Sequence, residues 1–283
     1  MPTTPSESPL ALINPVRIAS NLWHYRDLVW QFTQRNIELR HRGSRLGHLW
    51  ALINPLSMLM LYFFVFGLIF KTRFGALPNE TTYDYLLAVF LSLSLFHVFS
   101  ETLSSSPMLI TSNPNFVKKV VFPLEVLPLA QLGATAFHLC IGIGLVLVGS
   151  VFSPPGLSWH ALWLPVLMLP LFLLALGMSW ALAALGVFLR DIGQLTAFAA
   201  TAVMFASAVM YPTSRISEAS PAMWQILRLN PLLQIIDLAR HVALWHEPMP
   251  WTRLGYIYAC AITVVIVGHA CFGLLRRSFA DVI

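Results

Sequence analysis

The sequence predicts an all-α integral membrane protein of six transmembrane helices, with an N-terminal amphipathic interface helix, a short capped cytoplasmic helix and a re-entrant hairpin between spans five and six. Three observations lead there. Hydrophobic residues make up 57% of the chain and charged ones only 10%, against roughly 25% charged in soluble domains. Mean hydropathy is +0.72, too apolar for a surface facing water all round. Apolar runs of membrane-spanning length recur along the chain, divided by short polar segments. The net charge of +5 is accordingly read by position along the chain, not as a nucleic-acid footprint.

The sharpest boundary is Arg40-His41-Arg42-Gly43-Ser44-Arg45. Three arginines in six residues cannot enter hydrocarbon cheaply, at about 2.5–3.5 kcal/mol each near a helix centre. The chain therefore divides into an interfacial segment, 1–45, and a membrane domain, 46–283. Residues 1–20 read as a loose lead-in, of which Met1 to Leu10 is polar and proline-bearing, with no basic region leading into an apolar core, so no cleavable signal peptide is expected. From Asn21 to Arg42, Leu22, Tyr25, Val29, Phe32 and Leu39 recur at mostly helical spacing opposite Arg26, Arg35 and Glu38. That pattern suits a helix lying at the membrane surface or packed on the protein's own cytoplasmic side.

The first span is 46–70, with a kink expected at Asn54-Pro55. Tyr62, Phe66 and Phe70 stand at i, i+4 and i+8 on one side, an aromatic stripe suited to packing, a lipid belt or a channel wall. The second span, 83–103, carries His97 and Glu101 on one face, a hydrogen-bonded pair near a helix end with no third metal ligand in view. In the next loop, Asn113 is an N-cap candidate, Pro114 fits the first helical position and Pro123 closes a helix of about two turns. Phe116 pairs with Val120 and Val117 with Val121, and Lys118 and Lys119 lie between. A short rigid helix on the basic side of a membrane is a docking knob.

Spans three and four are 124–151 and 162–189; Gly142, Gly144 and Gly149 permit close helix approach in the third. Arg190-Asp191 reads as an ion pair at the end of the fourth. The fifth span, 195–211, is barely long enough and Pro212 stops it. Ser220-Pro221 starts a short helix, which Asn230-Pro231 breaks and restarts towards Leu244. Neither piece can cross a bilayer, and Arg228, Asp237 and Arg240 forbid burial in lipid, so a re-entrant hairpin covered by protein or water is expected. The sixth span is 254–275, ended by Arg276-Arg277. With the N-terminus inside, Arg17, Arg26, Arg35, Arg40, Arg42, Arg45, Lys118, Lys119, Arg190, Arg276 and Arg277 are all cytoplasmic. Only Lys71, Arg73, Arg215, Arg228, Arg240 and Arg253 fall outside, as the positive-inside rule requires of a multi-pass protein with both termini in the cytoplasm. Cys140, Cys260 and Cys271 lie singly in apolar runs without a metal or redox spacing.

This order of parts resembles the membrane subunits of ABC-2 type polysaccharide exporters, the family that handles O-antigen, capsule and teichoic-acid polymers. The residues that carry the resemblance are Arg26-Asp27-Leu28, Arg42 to Gly47, Leu49-Trp50-Ala51-Leu52-Ile53-Asn54-Pro55, Asn113 to Pro123 continuing into Leu127-Pro128, Tyr211-Pro212, Asn230-Pro231 and Phe279 to Ile283. His48 departs from the aromatic residue frequent there. The resemblance implies a cell inner-membrane homodimer working with two copies of a separate ATPase that holds ATP and Mg2+, and a lipid-linked glycan as cargo. The chain itself contains no G-x-x-x-x-G-K-[ST] phosphate loop, and no cofactor is expected on it.

On that resemblance, Asn113, Pro114, Phe116, Val117, Lys118, Lys119, Val120 and Phe122 form the coupling helix seated in the ATPase. Pro221, Trp224, Asn230 and Pro231 belong to gate helices near the outer face. Aromatic residues line the polymer path in the family, and Tyr62, Phe66, Phe70 and Tyr211 are the candidates here. Arg40, Arg42 and Arg45 stand where a lipid pyrophosphate would arrive, although the positive-inside rule alone also accounts for them. Two alternatives keep other cargo or chemistry: an ABC-2 exporter of a drug or small lipid, and a polytopic glycan-modifying transferase. The second needs clustered acid–base residues at a membrane face, whereas Asp27, Glu38, Glu101, Glu125, Asp191 and Asp237 are scattered.

Overall fold

The computed structural model describes residues 15–41, 46–69, 73–118, 122–154, 156–189 and 191–283, and among these all regular structure is helical. Arg42, Arg45, Phe70, Lys119, Val120 and Arg190 lie outside the described residues. The N-terminal segment is two helices, α1 (Pro15–His24) and α2 (Arg26–His41), where the sequence pattern predicts one from Asn21. They meet at Tyr25, and hydrogen bonds continue across it from Tyr25 to Asn21 and from Val29 to Tyr25.

Helix α3 (Trp50–Tyr62) runs on as a π-helical stretch, Phe63–Ile69. The departure from regular helix thus falls on the aromatic stretch past Pro55, which stands inside α3. Then come α4 (Thr82–Ser105), the one-turn α5 (Pro114–Val117), α6 (Val126–Val151) and α7 (Leu164–Phe188). Four helical stretches, Thr82–Met108, Val126–Val151, Trp159–Phe188 and Trp251–Val282, are long and apolar enough to cross a membrane. Trp50–Phe66 and Ile192–Ala206 are shorter apolar helices. At 1.5 Å per residue the latter, α8, reaches only about 22 Å, short of the ~30 Å hydrocarbon core. It ends before the 195–211 expectation does, at Ala206, because the chain turns there and Ala208 adopts a left-handed φ of +48°.

Helix α4 is the centre of the fold. It is apolar on all sides, and such a helix belongs in an interior; Tyr85, Ala88, Val89, Leu91, Leu95 and Val98 are almost fully buried. A capping box starts it, with Thr81 Oγ1 accepting from the Asp84 amide and Asp84 accepting from the Thr81 amide. Around it pack α6, α7, α8 and the later α11. Helices α7 and α12 (Trp251–Leu275) cross at glycines: a Cβ at Gly268 would stand 2.0 Å from the Gly177 carbonyl oxygen. Of the glycines expected to admit close approach on α6, Gly142 meets Ser94 and Gly149 meets Leu87 and Tyr83. Gly144 does not, since nothing lies within 4 Å of its Cβ position.

After α8 the chain folds into three short helices, α9 (Thr213–Ala219), α10 (Pro221–Leu227) and α11 (Pro231–Ala243). The first was not legible as a helix in the sequence. Ser220 caps α10 through the Met223 amide at 3.3 Å, and Pro221 takes the first turn. A last turn, α13 (Phe279–Val282), buries Phe279 against Phe188 and Phe272.

Candidate functional site

Two polar assemblies stand out, joined by α4. The first surrounds α11. Asp237, Arg240 and His241 occupy i, i+3 and i+4 of one helix, a spacing that brings them together. Arg240 has no exposed surface. Its Nη2 donates to Asp237 Oδ1 at 3.2 Å and its Nη1 to the Ala208 carbonyl at 3.0 Å, while Ser92 Oγ of α4 lies at 3.5 Å. The guanidinium sits 4.7 Å over the Phe74 ring and 5.8 Å from that of Trp245. Asp237 also accepts from Arg253 Nη2 at 2.8 Å, and Arg253 Nε donates to Gln234 at 2.6 Å. Burial alone would raise the Asp237 carboxyl, but His241, Arg240 and Arg253 outweigh it and hold Asp237 well below the usual carboxylate range. Asp237 and Arg240, two of the charges that could not enter lipid, are therefore buried in protein against each other, while Arg228 stays exposed.

This assembly holds the hairpin. Asn230 Oδ1 caps α11 by accepting from the Leu232 amide at 3.0 Å. Its Nδ2 reaches back to Ser207 Oγ at 3.0 Å and the Ala206 carbonyl at 3.3 Å, tying the end of α8 to the start of α11. Pro231 fills the first turn. Trp224 packs with Tyr211 and Leu227 on a small cluster of Ala208, Ile216 and Leu233. The Tyr211 hydroxyl donates to the Phe205 carbonyl.

An aromatic series runs into the same place from the end of α3 and its π-helical continuation. Tyr62 and Phe66 have centroids 6.2 Å apart, Phe66 and Tyr85 6.4 Å, Phe74 and Tyr85 5.1 Å, Phe74 and Trp245 5.9 Å. Tyr85 is fully buried and its hydroxyl donates to the Met210 carbonyl at 2.9 Å. The series continues the Tyr62–Phe66 stripe through Phe74, Tyr85 and Trp245, three residues that sequence spacing did not single out. Tyr211 lies at its far end, in contact with the hairpin rather than with the stripe.

The second assembly is at the opposite end of α4. The expected two-turn helix is, among the described residues, the single turn Pro114–Val117. Pro114 takes its first position, but Asn113 does not cap it. Its side-chain amide donates backwards to the Leu109 carbonyl at 2.9 Å, and only its backbone carbonyl serves the new turn, accepting from the Phe116 amide at 3.1 Å. Phe116 and Phe122 stack at 4.5 Å, and Phe32 of α2 meets them at 5.4 and 5.5 Å. Arg35 lies 4.7 Å over Phe32. The aromatic side of this turn is thus clasped to the interface helix, and Val117 packs on the core, while Lys118 remains exposed. Helix α2 is held twice more. Thr33 Oγ1 donates to the Ala130 carbonyl at 3.4 Å above Gly133, where a Cβ would clash at 2.6 Å. Arg40 pairs with Glu101 through both carboxylate oxygens, Gln131 Nε2 reaches Glu101 at 3.3 Å, and His97 Nε2 stands 3.4 Å from it. Beside this assembly, Glu125 at the head of α6 pairs with Arg276, and its carbonyl accepts from Trp180 Nε1 at 3.3 Å.

The described residues thus hold a buried ionic hairpin, an aromatic series leading to it and a short turn clasped to α2. Residues 27–244 match the family described as ABC-2 type transporter, and the chain belongs to that family. It is similar over nearly its whole length to the O-antigen export system permease protein RfbA of Klebsiella pneumoniae, 26% identical over 95% of this chain and 99% of the relative. The RfbA protein of Myxococcus xanthus is likewise 26% identical, over 94% and 99%. The polysialic acid transport protein KpsM of Escherichia coli is 23% identical over 84% of this chain and 89% of its own.

Proposed function

We propose that the protein is the permease subunit of an ATP-driven exporter that moves a lipid-linked polysaccharide, of O-antigen, capsule or teichoic-acid type, from the cytoplasmic to the outer side of the cell membrane. The observation that carries this reading is the similarity, over 84–95% of the chain, to permeases named for O-antigen export and polysialic acid transport. The working unit is a homodimer with two copies of an ABC ATPase, on which ATP and Mg2+ are bound. Residues 1–45 form the interfacial segment and 46–283 the transmembrane domain. The two shorter apolar helices complete six spans, with both termini in the cytoplasm.

In this reading the turn around Pro114–Val117, with Lys118 and Lys119, meets the ATPase. Tyr62, Phe66, Phe70 and Tyr211 face the polymer, whose C–H groups slide over flat rings without tight binding at any one sugar. The hairpin of Pro221, Trp224, Asn230 and Pro231 closes the outer end, and Arg40, Arg42 and Arg45 meet the phosphate end of the cargo. The test is the lipid-linked glycan of a strain lacking this protein, probed for sidedness with a membrane-impermeant label. Full-length glycan trapped inside, with surface polymer gone, is expected. Truncated or absent glycan would point to a biosynthetic transferase, and an unaltered surface would point to a drug or small-lipid exporter.

A further inference from the structure

The tie around Glu101 is built with a spare. Both oxygens of this carboxylate are engaged: Oε1 receives Arg40 Nη2 and Gln131, Oε2 receives Arg40 Nη1 at 3.1 Å and faces His97 at 3.4 Å. Arg40 belongs to the interface helix, whereas Gln131 and His97 belong to the membrane helices α6 and α4. If Arg40 leaves, Glu101 keeps the Gln131 amide donor at 3.3 Å and the His97 ring nitrogen at 3.4 Å. The carboxylate is then not orphaned, and the usual penalty for breaking a partly buried ion pair is reduced.

The surroundings are equally unsuited to lipid. Glu101 and His97 lie about 6 and 12 Å inside the cytoplasmic end of α4, and Gln131 about 7 Å inside α6, at 1.5 Å per residue. The His97 side chain is 63% exposed on the outside of the chain. Ionisable side chains at such depth face water-filled or protein-lined space, not hydrocarbon. Arg40 therefore stands at the mouth of a polar strip, with one bidentate partner that it can exchange for another planar or tetrahedral oxyanion.

We infer that the Arg40–Glu101 pair is an exchangeable latch: a diphosphate-bearing ligand takes the Arg40 guanidinium, and Glu101 falls back on Gln131 and His97. This rests on the export reading for its ligand, since a diphosphate group can come from a lipid carrier or from a soluble phosphate. The exchange itself frees the C-terminal end of α2 from α4 when cargo arrives.

The test is equilibrium binding of radiolabelled farnesyl diphosphate to the full-length protein with its ATPase partner in lipid nanodiscs, farnesol and inorganic diphosphate serving as competitors. Glu101→Gln, which weakens the internal competitor, is expected to tighten binding about tenfold, and Arg40→Gln to weaken it about tenfold, the worth of one charged hydrogen-bonded contact. The swap Arg40→Glu with Glu101→Arg rebuilds the tie, so it keeps the wild-type melting temperature but binds no better than Arg40→Gln. Affinity unchanged in both single variants, or lowered equally in both, would make the pair a purely structural tie and overturn the inference. Inorganic diphosphate competing as well as farnesyl diphosphate would keep the latch and assign it a soluble ligand. The export reading fails separately, if a strain lacking the protein keeps its surface glycan while the binding pattern holds.

Discussion

Removing Asp237 should damage this protein more than removing Arg240, although the two face each other. Arg240 is wholly enclosed, and Asp237 is the only carboxylate that touches it among the described residues. Asp237→Asn would leave the Arg240 charge buried without a counter-ion and Arg253 with an amide, at about 3–5 kcal/mol for a broken buried pair. Arg240→Met leaves Asp237 in better company, with Arg253 at 2.8 Å and His241 at 3.5 Å still in place. What it removes is one charged hydrogen bond, the donor to the Ala208 carbonyl and the contact with Phe74. The methionine restores some apolar contact, so about 2–3 kcal/mol is the expected loss. At about 2–4 °C per kcal/mol for a chain of this order of size, Asp237→Asn should lower the melting temperature by about 6–20 °C and Arg240→Met by about 4–12 °C. The double variant should lose less than the sum, because neither charge is then stranded. Intrinsic fluorescence of the nine tryptophans during a thermal ramp in detergent reads all three. Equal losses in the single variants, or strict additivity in the double, would refute the view that Asp237 is the shared hub and Arg240 one of its dependents.

Three further outcomes are expected. Burial lowers His241, but the hydrogen bonds and charges of Asp237 and of Glu247, whose Oε2 lies 2.6 Å from Nδ1, outweigh it and raise its pKa above the usual value. The protonated form is then favoured on folding, so this stabilisation is complete below about 6.5, the unfolded value, and is lost as pH rises through the raised one. The melting temperature should fall between pH 6 and pH 8.5 more steeply in the wild type than in His241→Gln, and parallel curves would count against it. Gly268→Val should abolish accumulation in the membrane, since its Cβ has no room beside Gly177, whereas Gly144→Ala should express normally; membrane-fraction yield decides. Phe116→Ala removes the stacked ring between Phe122 and Phe32, worth about 0.5–1.5 kcal/mol per aromatic pair. It should cut surface polymer far more than it lowers melting temperature, and full export at equal abundance would show the clasp to be idle.

What could be read in the sequence was what depends on neighbours along the chain. Apolar runs located α4, α6, α7 and α12, and the Ser220-Pro221 and Asn230-Pro231 pairs located two helix starts, because capping and proline geometry are local. The same local logic failed at Asn113, whose side-chain amide bonds the Leu109 carbonyl behind it and makes no cap. The Asp237, Arg240 and His241 spacing carried a readable signal. Burial of that group did not, because Ser92, Ala208 and Phe74 reach Arg240 from remote segments. Phe32 and Phe116 lie 84 positions apart and Arg40 and Glu101 61. Periodicity marks each as one face of its own helix and says nothing of the partner.

These remote pairings alter the route by which an ATPase would act on this subunit. The short turn at Pro114–Val117 does not stand alone as a piston. Phe116 of the turn and Phe122 beyond it stack on each other and meet Phe32 edge-on and tilted, so displacement of the turn must move α2 or break the clasp. Helix α2 is in turn fastened to α6 at Thr33 and to α4 at Arg40. Helix α4 then spans the distance to the hairpin: Glu101 lies near its C-terminal end, Ser92 touches Arg240 and Tyr85, near its N-terminal end, holds the Met210 carbonyl. From Tyr85 to Glu101 is about 24 Å of continuous helix, packed on nearly all sides, and a packed helix transmits displacement rather than absorbing it. On the export reading, a push at the cytoplasmic turn therefore reaches the outer hairpin through α2 and α4. The Arg40–Glu101 contact is the one joint in that path that a phosphate-bearing cargo could open. A subunit built this way would move its outer hairpin in step with the ATPase through both ties when the latch is shut, and through the Thr33–Ala130 tie to α6 alone when cargo has taken Arg40.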